Sequence, residues 1–158
     1  MKLADFCSEL DLQLGLSAPE ERLAQASKIV SQAFKVTSAD VALFSFDAAR
    51  QELKFRWPEK LVNSGTIPLN AKNSLVARTL REKKAYIDNR FAKVSHGVIF
   101  EAFSGSKPIQ KIISAPLSDK GVVQVSRKGA DAKEAGPDFS QGELNALQQM
   151  AEVIARHL

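Results

Sequence analysis

Lys107-Pro108-Ile109-Gln110-Lys111-Ile112-Ile113-Ser114-Ala115-Pro116-Leu117 is followed, after Ser118-Asp119-Lys120, by Gly121-Val122-Val123-Gln124-Val125-Ser126-Arg127-Lys128. Two apolar runs rich in β-branched residues, separated by a short polar turn that ends in glycine, predict a β-hairpin. This hairpin sets the frame for the rest of the chain.

Upstream, residues 40 to 47 alternate as a strand, with Val41, Leu43 and Ser45 facing one way and Ala42, Phe44 and Phe46 the other. Ala48-Ala49-Arg50-Gln51 reads as a turn, and Leu53, Phe55 and Trp57 alternate in a return strand up to Pro58, a second hairpin. Ile67-Pro68-Leu69 is a short extended segment. Asn73 or Ser74 caps a helix to about Lys83, and Ala85-Tyr86-Ile87-Asp88 is a further short strand. Residues 89 to 106 form a connecting loop in which Val94, Val98, Ile99, Phe100 and Phe103 suggest a short helix.

The ends are helical. Leu3 to Leu14 reads as a short amphipathic helix that stops near Gly15. Ser17-Ala18-Pro19-Glu20 has the form of a capping box opening a helix to about Phe34, with Leu23, Ala26, Val30 and Ala33 on one stripe. After a Gly/Ala-rich loop from Gly129 to Pro137, Ser140-Gln141-Gly142-Glu143 repeats the capping-box form and opens the last helix. The order is helix, two antiparallel strands, a crossover with a short helix, two more antiparallel strands, helix. It predicts an α+β sandwich with helices against a mostly antiparallel sheet.

Length and composition set the outer bounds. The 158 residues fit one core, and 44% hydrophobic with 25% charged residues is an ordinary globular balance. No run approaches the roughly 20 apolar residues that span a bilayer, and the first residues do not read as a signal peptide, so a cytoplasmic protein without a membrane partner is expected. Cys7 is the only cysteine, which excludes an intramolecular disulfide and a paired redox thiol. Charge is unevenly placed. From Arg50 to Lys133 there are 17 Lys and Arg against 7 Asp and Glu, net +10, while the terminal portions hold 5 against 11, net −6. Such polarity attracts an anionic effector or brings acidic ends to a basic middle; dispersed lysines are also simply solvated. With no aromatic residues interleaved among the basic ones and no Arg-rich helix, nucleic-acid readout is not expected.

The central hairpin resembles that of GAF domains, in which a hydrophobic-x-x-P-hydrophobic strand returns as G-V-hydrophobic-Q-hydrophobic. Three further pieces are similar to that family and come in its order. They are Thr66-Ile67-Pro68-Leu69 with Ser74-Leu75-Val76, then Ala85-Tyr86-Ile87-Asp88-Asn89, then Asp138-Phe139-Ser140 before Glu143-Leu144. The resemblance covers residues 23 to 158. It implies a GAF/PAS-like α+β fold: a mostly antiparallel sheet of five to six strands flanked by N- and C-terminal helices, with residues 1–16 as a helical extension and 17–158 as the domain. Two departures stand out. The turn Ser118 to Lys120 is shorter than usual, and Ala77 stands in a region where the family commonly has glycine.

Chemistry is bounded by what is missing. No phosphate-cradling glycine loop and no clustered metal-ligand spacing are present, so no enzyme activity and no cofactor are expected. Relatives that reduce methionine sulfoxide need pocket thiols, and Cys7 precedes the domain. Bilin-carrying relatives commonly attach the pigment through a Cys-His pair, and the corresponding dipeptide here is Ser95-His96. His96 and His157 alone do not make a haem or metal ligand set.

The resemblance implies a small-molecule pocket between the sheet and the crossover, lined by Phe44, Phe46, Tyr86, Phe91, Phe100, Phe103, Ser114, Gln124 and Ser126. The same side chains also describe a filled core. Arg90 or Arg127 offers a forked contact to an acidic ligand. On the last helix, Leu144, Leu147, Ala151, Ile154 and Leu158 form one stripe, with Ala146, Met150 and Val153 beside it. An arc that wide is expected to meet either the helix ending at Phe34 or a second copy in a homodimer. Two readings follow: a regulatory domain that senses a small molecule or transmits a signal through dimeric helices, or an interaction module for a signalling protein, with a filled pocket and no ligand.

Overall fold

The computed structural model describes residues 2–93 and 107–158. Helix α1 (Leu3–Leu16) leads through a 3-10 turn (Pro19–Glu21) to α2 (Arg22–Phe34). Strands β1 (Val41–Asp47), β2 (Glu52–Trp57) and β3 (Thr66–Pro68) follow, then α3 (Leu75–Glu82) and β4 (Tyr86–Asp88). Beyond the crossover come β5 (Ile109–Pro116), β6 (Gly121–Lys128), a single turn α4 (Ala132–Ala135) and α5 (Gln141–Ala155). The strands make one six-stranded sheet in the order β3-β2-β1-β6-β5-β4, antiparallel throughout. This is the α+β arrangement expected, with helices on both faces of the sheet.

Local chemistry explains where the elements begin and end. Ser140 accepts a hydrogen bond from the Glu143 amide at 3.2 Å while Glu143 accepts one from the Ser140 amide at 3.0 Å, so the capping box of α5 forms as expected. Ser74 caps α3 by accepting from the Ala77 amide. Ser17 departs from its expected role. Its hydroxyl and its amide both donate to the Gln13 carbonyl, so it closes α1 and does not open α2; Pro19 begins the following turn instead. In the short turn of the central hairpin Ser118 takes a φ of +55°, and the strands pair in register from Pro116 opposite Val122 to Lys111 opposite Arg127, with a shift between Ile109 and Lys111 at the far end.

Gly121 lies opposite Ser45 of β1, and a Cβ at that position would stand 1.9 Å from the Phe44 carbonyl oxygen. Close approach of β6 to β1 therefore requires glycine here.

Alternation divides the sheet into two faces. Val41, Leu43, Ile113, Ala115, Val123 and Val125 point into a core closed by α1, α2 and α5. Leu10 and Leu14 of α1 are buried in that core together with Ile29, Val30 and Phe34 of α2. The wide stripe of α5 is consumed there too. Leu144, Leu147, Ala151 and Ile154 are each no more than 5% exposed, as are Met150 and Ala155, so they offer no free face to a second copy. Of the expected dimer contacts only Leu158, at 46%, reaches solvent. The reason is that α1, remote in sequence, packs on α2 and α5 and covers what the sheet leaves open. On the opposite face, Phe44, Leu53, Phe55, Ile67 and Val122 pack under Val76, Ala77 and Leu80 of α3.

The basic middle meets the acidic ends inside the chain. Lys111 pairs with Asp138 at 2.9 Å, Arg127 with Glu143 at 2.9 Å and Lys128 with Asp40 at 3.1 Å. Among the described residues no helix is long and apolar enough to cross a membrane.

Candidate functional site

The α3 side of the sheet carries polar side chains in strands that are otherwise apolar. Ser114, Gln124 and Ser126 are all buried, as is Thr79 on the helix above them. Register aligns them, since Ser114 of β5 is opposite Gln124 of β6 and Ile112 is opposite Ser126.

Their hydrogen bonds have a direction. Thr79 spends its hydroxyl proton on the Leu75 carbonyl, at 2.8 Å, one turn back along α3. Its oxygen therefore accepts from Ser114, also at 2.8 Å. Ser114 in turn accepts from the Gln124 side-chain nitrogen at 3.2 Å. Donation thus runs from Gln124 through Ser114 and Thr79 to a helix carbonyl, which leaves every hydroxyl satisfied. At the far end, the carboxamide oxygen of Gln124 has no hydrogen-bond partner among the described residues, although the residue is only 3% exposed. A buried acceptor left in that state costs about 1–3 kcal/mol. Beside it, Ser126 donates to the Asp40 carbonyl at 3.2 Å. Gln124 and Ser126 line a void of about 10 Å³ with Phe55, Pro58, Ile109 and Ile112, room for at most one water.

The residues expected to line the pocket separate into groups. Gln124 and Ser126 face the void, with Ser114 behind them. Phe44 packs its ring on Phe55 at 4.3 Å between centroids, deep in the α3-side core, and Phe46 lies half-buried at the margin of that core. Phe91 is fully buried on Ile109 and Ile112. Tyr86, opposite Ser114 in register, turns its chemistry to the sheet edge: Arg78 stacks 4.3 Å over its ring, and its hydroxyl donates to Glu82. That bond holds the Glu82 carboxyl below its usual range and the Tyr86 phenol above its own. Phe100 and Phe103 lie outside the described residues, with Ser95 and His96.

Thr79, Phe55 and Ile112 belong to the site and were not among the expected residues. Thr79 had one sequence signal, a polar side chain between Val76 and Leu80 on the buried side of a helix. Arg127 is committed elsewhere, 4.0 Å over the Phe139 ring and donating to the Pro137 carbonyl and to Glu143. Arg90 is exposed. Cys7 is half-buried on α1, and burial pushes its thiol above the ordinary range against the opposing pull of Arg156. Among the described residues no group of three or more His, Cys, Asp and Glu is placed to hold a metal.

No protein-family model matches the sequence, and no curated protein sequence does either. Solved structures match over nearly the whole length. The GAF domain of an Acinetobacter phosphoenolpyruvate-protein phosphotransferase superposes with a TM-score of 0.72 at 15% identity, over 98% of this chain and 90% of that one. The chain has the GAF fold. Residues 122 to 287 of a methyl-accepting chemotaxis protein superpose with a TM-score of 0.69 at 10% identity, covering 94% and 93% of the two chains. A phycocyanobilin-bound GAF domain from a cyanobacterial phytochrome gives 0.64 at 13%, covering 99% and 93%. Identities this low speak to the fold alone, which houses unrelated chemistries. Against that GAF frame, the lone cysteine of this chain sits on α1, across the sheet from Gln124.

Proposed function

We propose that this chain is a non-catalytic regulatory domain that senses a small molecule on the α3 side of its sheet and passes the change to its helices. The observation that carries this reading is the buried donor relay from Gln124 through Ser114 to Thr79, at whose head the Gln124 carboxamide oxygen has no partner among the described residues. A core built only to pack has no use for a row of hydroxyls and an amide, and a ligand N–H or O–H would satisfy the orphaned oxygen. Binding drives a change only through differential affinity for two states, so part of the binding energy must go into rearranging the residues around the void.

Thermal denaturation against nucleotides, amino acids and aromatic acids tests the proposal. A compound at one hundred times its Kd stabilises by about 2.7 kcal/mol, and Gln124→Leu should abolish that gain while the circular dichroism spectrum stays native. Stabilisation that persists in Gln124→Leu, or a panel without effect, overturns the reading.

The second reading, an interaction module with a filled pocket, is favoured by the size of the void. About 10 Å³ holds no ligand unless the site opens. A panel without effect, together with an unchanged fold in Gln124→Leu, supports that module.

A further inference from the structure

The segment leading into α5 is held to the sheet by three side chains. Lys111 of β5 donates to the Gly136 carbonyl and pairs with Asp138, and Arg127 of β6 holds the Pro137 carbonyl and covers Phe139. Both belong to the central hairpin. The third, Asn89, belongs to the chain that leaves β4 for the crossover. Its side-chain nitrogen donates to the Phe139 carbonyl at 3.1 Å, and its oxygen accepts from the Phe139 amide at 2.8 Å. One carboxamide thus closes both backbone groups of the residue immediately before the Ser140 cap. Phe139 itself is buried, its ring edge-on to Phe34 at 6.5 Å between centroids.

Two residues beyond Asn89, Phe91 is fully buried on the opposite side of the sheet. It packs on Ile109 and Ile112, and those two residues line the same void as Gln124 and Ser126. Residues 89 to 91 therefore reach both layers. A shift of Ile112 or Phe91 must be absorbed within this short stretch or passed to Phe139.

We propose that Asn89 is a coupling clasp, which transmits the packing state of the Gln124 void through Phe91 to the start of α5. The role deepens the sensing function proposed above and rests on that reading for its purpose, but the coupling itself exists without a ligand. The Asn89–Phe139 bond pair, closed in this structure, is the two-state element the proposal requires, and the contacts through Phe91 and Ile112 place it within reach of the void.

The test is amide hydrogen exchange on the full chain in four variants: the native sequence, Ile112→Val, Asn89→Ala and the double substitution. The Leu144 amide, in the first turn of α5, is the reporter, and the Val123 amide in the central hairpin corrects for global opening. Ile112→Val perturbs only the void side and should speed Leu144 exchange relative to Val123 by about threefold to tenfold. In the Asn89→Ala background the same change should leave that ratio unmoved. If Asn89 merely stabilises the fold, the two effects multiply independently, and that outcome overturns the proposal. So does an Ile112→Val change that never reaches Leu144. Should Asn89→Ala fail to fold, Asn89→Asp, which keeps the acceptor and loses the donor, takes its place with the same expectations. Because no ligand enters the experiment, its failure is separable from a failure of the thermal-shift panel.

Discussion

The two faces of the sheet are made from the same strands and solve different problems. Under α1, α2 and α5 the central strands place aliphatic residues inward, Val41, Leu43, Ile113, Ala115, Val123 and Val125, and these meet a largely apolar helical layer. Under α3 the alternate residues of those strands include Ser114, Gln124 and Ser126, buried just as deeply. Hydrophobic burial dominates the first face, where the buried hydroxyls of Ser27 and Ser31 donate to helix carbonyls and the buried Lys111 ammonium reaches the Gly136 carbonyl and Asp138. The second keeps polar groups in the interior at a cost that only a full set of partners offsets, and one acceptor there lacks a partner among the described residues. Apolar burial is thus concentrated on the helical face, and the buried hydrogen-bond relay on the other.

The change that breaks both faces at once is Gly121→Val. Its Cβ would meet the backbone oxygen of Phe44 at 1.9 Å, a group that cannot rotate away, so the β1–β6 pairing must open. We expect loss of the folded state, or a cost of at least about 4 kcal/mol by chemical denaturation. A native-like denaturation midpoint would show that the strands can separate without penalty.

Next in size is the helical face. Leu147 is fully buried, and Leu147→Ala should cost about 2–5 kcal/mol through lost burial and the cavity left behind. Replacing Leu147 and Ile154 by Glu should unfold the chain, since both lie in its own core; folded monomers produced by those changes would instead revive these residues as a contact between copies.

A smaller effect is expected opposite. Gln124→Leu removes an acceptor that has no partner among the described residues along with the donor to Ser114, so the gain and the loss nearly cancel. Stability in urea should change by no more than about 1 kcal/mol, against several for Leu147→Ala. Equal costs at the two sites would erase the distinction between the faces.

What the sequence made legible follows the same division. The resemblance to GAF domains names Ser114, Gln124 and Ser126, and the structure places all three buried on one face of the sheet; Gly121 reads in sequence as the end of the hairpin turn, and its close approach to Phe44 emerges only from the pairing of β6 with β1. Thr79 is not singled out, because one threonine in a helix is ordinary until the strand beneath it is known. The arc on α5 was legible in width but not in destiny: periodicity measures how much apolar surface exists, and α1, more than a hundred residues away, decides what covers it. Ser17 and Ser140 show the limit of a local motif. Both have Glu three residues later, yet Ser17 lies at the end of a helix that already offers it the Gln13 carbonyl, whereas Ser140 follows an extended segment and is free to cap forward.

The smallest effect belongs to the rim of the polar face, where Tyr86 and Arg78 both engage Glu82. The hydroxyl bond from Tyr86 is the main cause of the depressed Glu82 carboxyl, with Arg78 adding to it. A carboxyl whose folded pKa lies below its unfolded value contributes stability above the unfolded value, and loses it as pH falls through the folded one. Glu82→Gln should therefore lower the thermal midpoint slightly at neutral pH, and the difference from the native chain should vanish in acid. All three groups are at the solvent-exposed edge, so screening holds the difference to about 1 °C. High salt should shrink it further. A difference that grew on acidification would mean that Glu82 is favoured protonated, and the Tyr86 hydroxyl would then have to be reassigned as acceptor, turned toward the sheet face that carries Ser114.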